Sequence, residues 1–282
     1  MTNPRPLRNS PFGLTSAVTV TLAIAFTLIA VTPQPAHAQT YTVLHNFTGG
    51  QDGGYPYAGL TLDRPGNLYG TAFDGGTGCS PFGGCGTVFE LKHVESNWLF
   101  TPLYSFLGSG DGAYPLARVV FGPNGTLYGT TSATQENGYY GVIFNVRPKP
   151  TPCKTALCTW MENPLYVFPG GTGGGVIGYG DLLFDQDNIY GTATSGGTGG
   201  GDGVVYELTP SGSGWAESLL YSFSGDDGST PQSGVAFDNA HNLYGTTYLG
   251  GLSSAGTAFE LTASQGGWTE ELSVQFSERK RR

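Results

Sequence analysis

Short stretches in which apolar residues alternate with small or polar ones recur along the chain, separated by clusters of Gly, Asp, Asn and Pro. Ala58 to Leu62 is such a stretch, and it is followed by turn residues at 63–66 and by a second stretch from Asn67. A period of two predicts half-buried strands, and Asp, Asn and Gly favour tight turns between them. Beyond residue 38, no segment sustains apolar residues at helical spacing. The pattern therefore predicts an all-β fold.

One five-residue stretch recurs four times. Asn-Leu-Tyr-Gly-Thr at 67–71 returns with small changes at 126–130, 188–192 and 242–246, at offsets of 59, 62 and 54 residues. Two further markers keep the same phase, namely Gly-Thr-Val-Phe-Glu-Leu from Gly86 and Leu-Tyr-Ser-Phe from Leu103. Three phased markers indicate one supersecondary unit copied in tandem.

Each repeat is predicted to supply four antiparallel strands, and each of the four Trp residues opens a fourth strand, at 98–106, 160–168, 215–223 and 268–276. Four strands in about 50 residues are typical of a propeller blade. We therefore predict a β-propeller of about four four-stranded blades. Residues 42–47 are a seventeenth strand candidate, which leaves open an incomplete or truncated ring.

Residues at equal repeat positions are expected to have structural roles. The marker tyrosines are predicted to pack between blades. Glu90, Glu207 and Glu260 share one position, and repetition favours a structural function for them. The marker threonines are expected to form hydrogen bonds within their own blades: Thr71, Thr130, Thr192 and Thr246.

Residues 1–38 have the features of a signal peptide: Arg5 and Arg8, an apolar run from 14 to 31, and Ala36-His37-Ala38 as a small-residue cleavage site. An uncleaved anchor is the alternative. We predict cleavage, no membrane insertion afterwards, and a secreted, periplasmic or cell-surface protein. Its propeller is predicted to span 39–276 and to precede a basic tail at 277–282.

The four cysteines form two close pairs, Cys79 with Cys85 and Cys153 with Cys158. For an exported chain these pairs predict local disulfides. A zinc site is the alternative, but neither spacing matches the usual paired motif.

Charge excludes one class of partner. The chain has 12 basic and 21 acidic residues, and loss of residues 1–38 would leave a net charge of −11. Such a chain repels nucleic acid and anionic membranes, so neither is predicted as a partner.

Gly- and Asp-rich loops are the candidate binding sites, because the predicted topology places them on one rim. Carboxylates beside backbone carbonyls can bind sugar hydroxyls or calcium. Tight turns also prefer Asp-Gly, and this interpretation is favoured because 170–175 lacks the Asp and no calcium-loop pattern occurs. We predict no cofactor, with calcium as the alternative. The candidate ligand residues are Asp52, Asp111, Asp226, Asp227, Asp74 and Asp202.

No catalytic residues are predicted. The chain after residue 38 has three histidines, His45, His93 and His241, for which surface or packing roles are expected. No nucleophile elbow, zinc-protease motif or P-loop occurs.

The phased markers N-L-Y-G-T, G-T-V-F-E-L and L-Y-S-F, joined by G-x-D-G-x-x-P, resemble the GloVer tandem repeat family over residues 41–276. The resemblance implies an exported bacterial repeat protein without an established activity. The G-N-L-Y hairpin is also similar to blades of NHL and SMP-30 type propellers, which is an analogy of fold only.

Two functions from different classes follow as hypotheses. The first is a non-enzymatic propeller that binds a carbohydrate, peptide or protein through the Gly/Asp-rich rim. The alternative is an SMP-30-like metal-dependent hydrolase or lactonase, which would need acidic residues from different blades to converge on one metal. A fragment without an independent role is a third hypothesis.

Overall fold

The computed structural model describes residues 40–79, 83–134, 140–149, 160–170, 175, 179–198, 200–264 and 267–275. The chain divides into two compact units, residues 1–43 and 44–282, and only 40–43 of the first unit are described. The predicted signal peptide, the basic tail and the pair Cys153 and Cys158 lie outside the described residues.

Four antiparallel sheets of four strands follow one another along the second unit, so the all-β propeller prediction is confirmed. The first blade contains β1 Thr61–Leu62, β2 Leu68–Ala72, β3 Thr87–Val94 and β4 Asn97–Ser105. The second contains β5 Val120–Phe121, β6 Leu127–Thr131, β7 Val142–Arg147 and β8 Met161–Val167. The third contains β9 Leu183–Asp185, β10 Asn188–Ala193, β11 Val204–Ser211 and β12 Gly214–Ser222. The fourth contains β13 Ala236–Phe237, β14 Leu243–Thr246, β15 Thr257–Ser264 and β16 Gly267–Gln275. Among the described residues the only helical element is the 3-10 turn Pro123–Gly125.

The glycine in each Tyr-Gly-Thr marker is required for steric reasons. In the first blade a Cβ built on Gly70 would lie 2.6 Å from Cζ of Phe89, which is its partner on β3. Gly129 faces Phe144 at the same 2.6 Å, and the other two blades repeat the contact. Because such distances are well inside van der Waals contact, any larger residue would push the β3-type aromatic ring away. The glycine of the Tyr-Gly-Thr marker is therefore required for the packing of one aromatic ring in each blade.

The core lies between neighbouring blades. The last residue of each Leu-Tyr-Ser-Phe marker packs edge-on against the third-strand aromatic of the next blade. The ring centroids are 4.9 Å apart for Phe106 and Phe144, and 5.1 Å apart for Phe168 and Tyr206. All four rings are almost completely buried. Edge-to-face geometry adds to the energy of burying these large apolar surfaces, so each blade is stabilised by the next one.

Two predictions about local structure are wrong, one of them in part. Residues 42–47 form no strand, although Phe47 packs against Phe89 at 5.1 Å, as a marker Phe would. The second prediction, that the marker threonines bond within their own blades, holds for Thr246, whose hydroxyl donates to the Ser233 hydroxyl at 3.1 Å, but fails for Thr71 and Thr192. The Thr71 hydroxyl donates to the Ala117 carbonyl at 2.9 Å, and Thr192 donates to Ser233 at 2.8 Å, so both link one blade to the next. A strand side chain that faces the adjacent sheet finds its hydrogen-bond acceptors on that sheet. Sequence periodicity does not show which sheet the side chain faces.

A disulfide joins Cys79 and Cys85, as predicted, in the loop between β2 and β3. Within the described ranges, no helix has the length and hydropathy required to cross a bilayer.

Candidate functional site

The candidate aspartates in the loops that follow the fourth strands are held by their own turns. Asp111 accepts hydrogen bonds from the Leu107 amide at 2.8 Å, the Tyr104 hydroxyl at 2.9 Å and the Ser109 hydroxyl at 3.2 Å. Its side chain is buried. The carboxylate therefore accepts the hydrogen bonds of the turn and holds the hydroxyl of the marker tyrosine Tyr104 in place.

The same turn recurs at the two other loops of this set. Asp227 accepts from the Ser224 amide at 2.8 Å and from the Tyr221 hydroxyl at 2.6 Å. Asp52 accepts from the Thr48 amide at 3.0 Å and contacts His45 Nε2 at 3.1 Å. His45 thus stands where the other markers carry Tyr, which is the packing role expected for it. The neighbouring Asp226 is exposed.

Asp74 and Asp202 lie in the loops between second and third strands, and the fold brings these loops against the first set, as the predicted topology requires. Asp74 forms an isolated antiparallel bridge with Gly54. The Ser229 hydroxyl donates to Asp202 at 2.8 Å. Burial raises the pKa of Asp74. Across the described part of the chain, no group of three or more His, Cys, Asp or Glu side chains could hold a metal ion.

The repeated glutamates have the structural role predicted for them. Glu207 accepts a hydrogen bond from the Tyr190 hydroxyl at 2.6 Å, and Glu90 accepts one from Tyr69 at 3.0 Å. Each pair joins the second and third strands of one blade across directly opposed positions. The glutamate carboxylate accepts the hydrogen bond of the tyrosine hydroxyl at the junction between blades.

Glu162, at the junction of the first two blades, has a carboxyl group with a raised pKa. Glu162 on β8 is half-buried, and among the described residues its buried Oε1 has no hydrogen-bond partner. Burial, with a smaller contribution from the nearby charge of Asp111, raises the pKa of Glu162 to about 8. The side chain is therefore largely protonated at neutral pH.

This shift predicts that stability falls as pH rises. Between the ordinary glutamate pKa and about 8 the folded state binds more protons than the unfolded state, so the free energy of unfolding decreases across that window. Glu162→Gln should remove the decrease and leave the variant more stable than wild type at pH 8.5, by on the order of 1 kcal/mol after allowance for solvent screening. Urea denaturation at pH 5 and 8.5 measures this. Glu95→Gln, on the exposed β3–β4 turn, is the control, and parallel pH profiles for wild type and Glu162→Gln would refute the assignment.

A cavity of about 700 Å³ is lined mainly by the segments that precede the first strand of each blade. These inner segments, 56–60, 115–119, 179–182 and 231–235, come from all four repeats. The lining includes the side chains of Tyr57, Phe73, Arg118, Asp181 and Gln232. The cavity volume is in the usual range for small-ligand sites.

Aromatic rings form a continuous row beside this cavity. Tyr57 stacks with Tyr55 at 6.1 Å and meets Phe73 edge-on at 5.7 Å, and Phe73 stacks with Tyr114 at 5.0 Å. Tyr55 and Tyr57 expose 62% and 67% of their surface, which is unusual for large aromatic side chains. Tyr55 and Tyr114 both precede a proline and have positive φ angles of 53° and 59°. Strained backbone positions and exposed aromatic side chains both concentrate at binding sites.

Charged groups from two blades also meet in the lining of the cavity. Arg118 Nε donates to Asp181 Oδ2 at 2.6 Å, and the Arg118 amide donates to Asp181 Oδ1 at 3.2 Å. Both side chains remain partly exposed, at 45% and 35%. The pair therefore presents fixed donors and acceptors to the cavity.

The sequence carries little indication of this cavity. Tyr57, Leu116, Tyr179 and Gln232 occupy one repeat position but differ in chemistry, so they form no motif. The available signal is the D-G-x-x-P segment that lies at the start of the inner segment in three repeats, because it indicates where each inner segment begins. The rim aspartates, which the sequence does emphasise, are mostly engaged within their turns.

A family model described as the Gloeobacter/Verrucomicrobia repeat matches residues 27–163, which confirms the resemblance predicted from the repeated markers. No curated protein sequence matches the chain.

Several solved structures are similar in fold. A bifunctional GH43-CE protein of Bacteroides eggerthii aligns with 76% of this chain and 25% of its own length, at 14% identity and a TM-score of 0.42. This chain thus spans about a quarter of that protein. A putative oxidoreductase (glucose dehydrogenase) of Thermus thermophilus aligns over 74% of this chain and 84% of its own, at 13% identity and a TM-score of 0.31. An α-L-arabinanase of Cellvibrio cellulosa, complexed with arabinohexaose, aligns over 76% and 75%, at 12% identity and a TM-score of 0.41.

Proposed function

Proceeding from the match of this chain to the Gloeobacter/Verrucomicrobia repeat family, we propose that it is an exported binding protein whose central cavity takes a carbohydrate. The observation that carries the proposal is the exposed aromatic row beside the cavity, together with the Arg118–Asp181 pair in its lining. The propeller supplies a rigid frame on which segments from four repeats converge.

Sugar rings match this chemistry. A pyranose presents apolar C–H groups on its faces and hydroxyls on its edges, so it suits a site that combines aromatic rings with fixed polar groups. Tyr57 and Phe73 are positioned to stack on the ring faces. Arg118, Asp181 and Gln232 are positioned to hydrogen-bond hydroxyls. The acidic character of the chain favours neutral sugars over anionic ones.

The rim aspartates are secondary in this proposal. Asp52, Asp111 and Asp227 already accept several hydrogen bonds within their turns. Asp226 is the exposed member of the six candidates, and it is the side chain most available to a ligand that extends past the cavity.

Export is part of the proposal and has separate support. The Cys79–Cys85 disulfide fits an oxidising compartment. The charge and hydropathy pattern of residues 1–38 fits a cleaved signal peptide. N-terminal sequencing of the protein recovered from cell envelope and medium tests it, with a mature start near Gln39 expected.

Carbohydrate binding is tested by calorimetry of the purified protein with neutral hexasaccharides of glucose, xylose and arabinose. We expect one of them to bind, and Tyr57→Ala and Phe73→Ala each to weaken binding roughly tenfold or more, because each removes a stacking ring. Tyr248→Ala is the matched control. Tyr248 occupies the repeat position of Phe73 in the fourth blade and is exposed, but it does not line the central cavity.

Two outcomes would contradict the proposal. Equal loss of affinity in Tyr248→Ala would place the site elsewhere, and absence of binding to all sugars would remove the carbohydrate assignment. Release of new reducing ends from a bound oligosaccharide would show catalysis and overturn the non-enzymatic part.

A further inference from the structure

The face of the fourth blade that points away from the third is the uncovered half of a junction. At two internal junctions the second-strand tyrosine is almost buried, with 7% of Tyr69 and 6% of Tyr190 exposed. Tyr244, the equivalent on β14, is 36% exposed. The neighbouring marker threonine, Thr246, is exposed as well, whereas Thr71 is buried. We call the surface formed by Tyr244, Thr246 and Ala258 the tail face.

The first blade has the complementary uncovered half. Leu60 is 42% exposed, although the residues at its position in the other repeats are buried: Val119, Leu182 and Val235. Leu62 is 63% exposed. At each internal junction the residue at the position of Leu62 is a Phe that receives the tyrosine of the preceding blade, as Phe121 receives Tyr69 at 5.3 Å. We call the surface formed by Ala58, Leu60 and Leu62 the head face.

We propose that the tail face of one molecule binds the head face of a second copy of this chain. The contact would continue an interface that the fold already forms three times. Tyr244 would pack on Leu62, as Tyr190 packs on Phe237 at 5.0 Å. The Thr246 hydroxyl, which in the single molecule donates to the Ser233 hydroxyl at 3.1 Å, would donate instead to the Ala58 carbonyl, as Thr71 donates to Ala117. Two grooves of about 390 and 540 Å³ along the fourth blade mark the space to be filled.

Part of the junction is already complete on the head side. Phe47 packs against Phe89 at 5.1 Å, in the position that Phe106 takes on Phe144 in the next junction. Phe89 is accordingly buried. The position of the marker Phe is therefore already filled on the head side, and the incoming copy supplies Tyr244, Thr246 and Ala258.

The contact is heterologous, because the two partners use different surfaces. Repeated head-to-tail contacts close into a ring where the rotation permits and otherwise extend into a filament. Heterologous pairing also provides a specific test, since a molecule that has lost its tail face can still bind through its head face.

The test uses sedimentation velocity across a wide concentration range. We expect the wild-type protein to self-associate, and Tyr244→Arg on the tail face and Leu62→Arg on the head face each to be monomeric alone. An equimolar mixture of the two variants should form a dimer and nothing larger, because one intact tail and one intact head remain. Leu99→Arg, at an exposed apolar position of β4, is the control and should behave as wild type.

Thermal unfolding of each variant checks that folding is intact, and Tyr244→Phe should retain association in any case. A wild-type protein that stays monomeric at all concentrations would overturn the proposal. Association that survives both arginine variants, or a mixture that stays monomeric while wild type associates, would also overturn it. Carbohydrate binding is tested separately, by the variants at Tyr57 and Phe73, which belong to neither face.

Discussion

Phe144→Ala is expected to lower the free energy of unfolding by about 3–5 kcal/mol, the usual cost of truncating a buried Phe. Phe144 is completely buried at the junction of the first two blades, with Phe106 edge-on at 4.9 Å and Gly129 directly beneath its ring. The cavity left behind cannot collapse easily, because two hydrogen-bonded sheets form its walls. Urea denaturation followed by Trp fluorescence measures the loss.

Leu99→Ala is the control for this prediction. Leu99 is 57% exposed on the neighbouring blade, so its truncation should cost little. If Phe144→Ala were no more destabilising than Leu99→Ala, the junction between blades would not be the main core of the molecule. Phe73→Ala should lie between them in stability but lose carbohydrate affinity, which separates packing from binding.

Removal of the Cys79–Cys85 disulfide should cost about 2 kcal/mol, the amount expected for closing a short loop in the unfolded chain. The effect should reach the cavity, because the Cys85 carbonyl accepts a hydrogen bond at 2.8 Å from the amide of Tyr114, which stacks on Phe73. The double variant Cys79→Ser, Cys85→Ser should therefore melt at lower temperature and bind carbohydrate more weakly.

Melting temperatures measured in reductant are the control for this variant. Wild-type protein in reductant should reach the melting temperature of the double variant in reductant, and the variant itself should lose only what the predicted Cys153–Cys158 disulfide contributes. A reductant effect of equal size on the variant would show that the other cysteines, and not this pair, carry the stabilisation.

Much of the fold follows from local sequence. The glycine of the Tyr-Gly-Thr marker and the Asp-containing turns act over short distances along the chain, where a strand and its hairpin neighbour are a few residues apart. Asp111 shows how far this extends. The sequence favours a turn over ligand binding there, and the structure supplies the amide and hydroxyl donors.

Contacts between repeats are harder to predict. Periodicity places the marker threonines within their own blades, yet Thr71 bonds to Ala117 in the next. Strand alternation shows which residues share a face but does not show which neighbouring sheet that face meets. For the same reason the pattern predicts a strand at 42–47, whereas its marker-like Phe47 packs on the first blade without pairing.

The sequence by itself determined the number of repeats, the four-stranded unit and the aromatic positions that hold adjacent units together, because each depends on periodicity within a short segment. Only the tertiary structure decided that Tyr57, Arg118, Asp181 and Gln232 share a cavity. It also decided that Tyr244 and Leu62 are left uncovered. These residues belong to different repeats and vary in chemistry, so their proximity depends on how successive blades are arranged around the cavity, which no local pattern encodes.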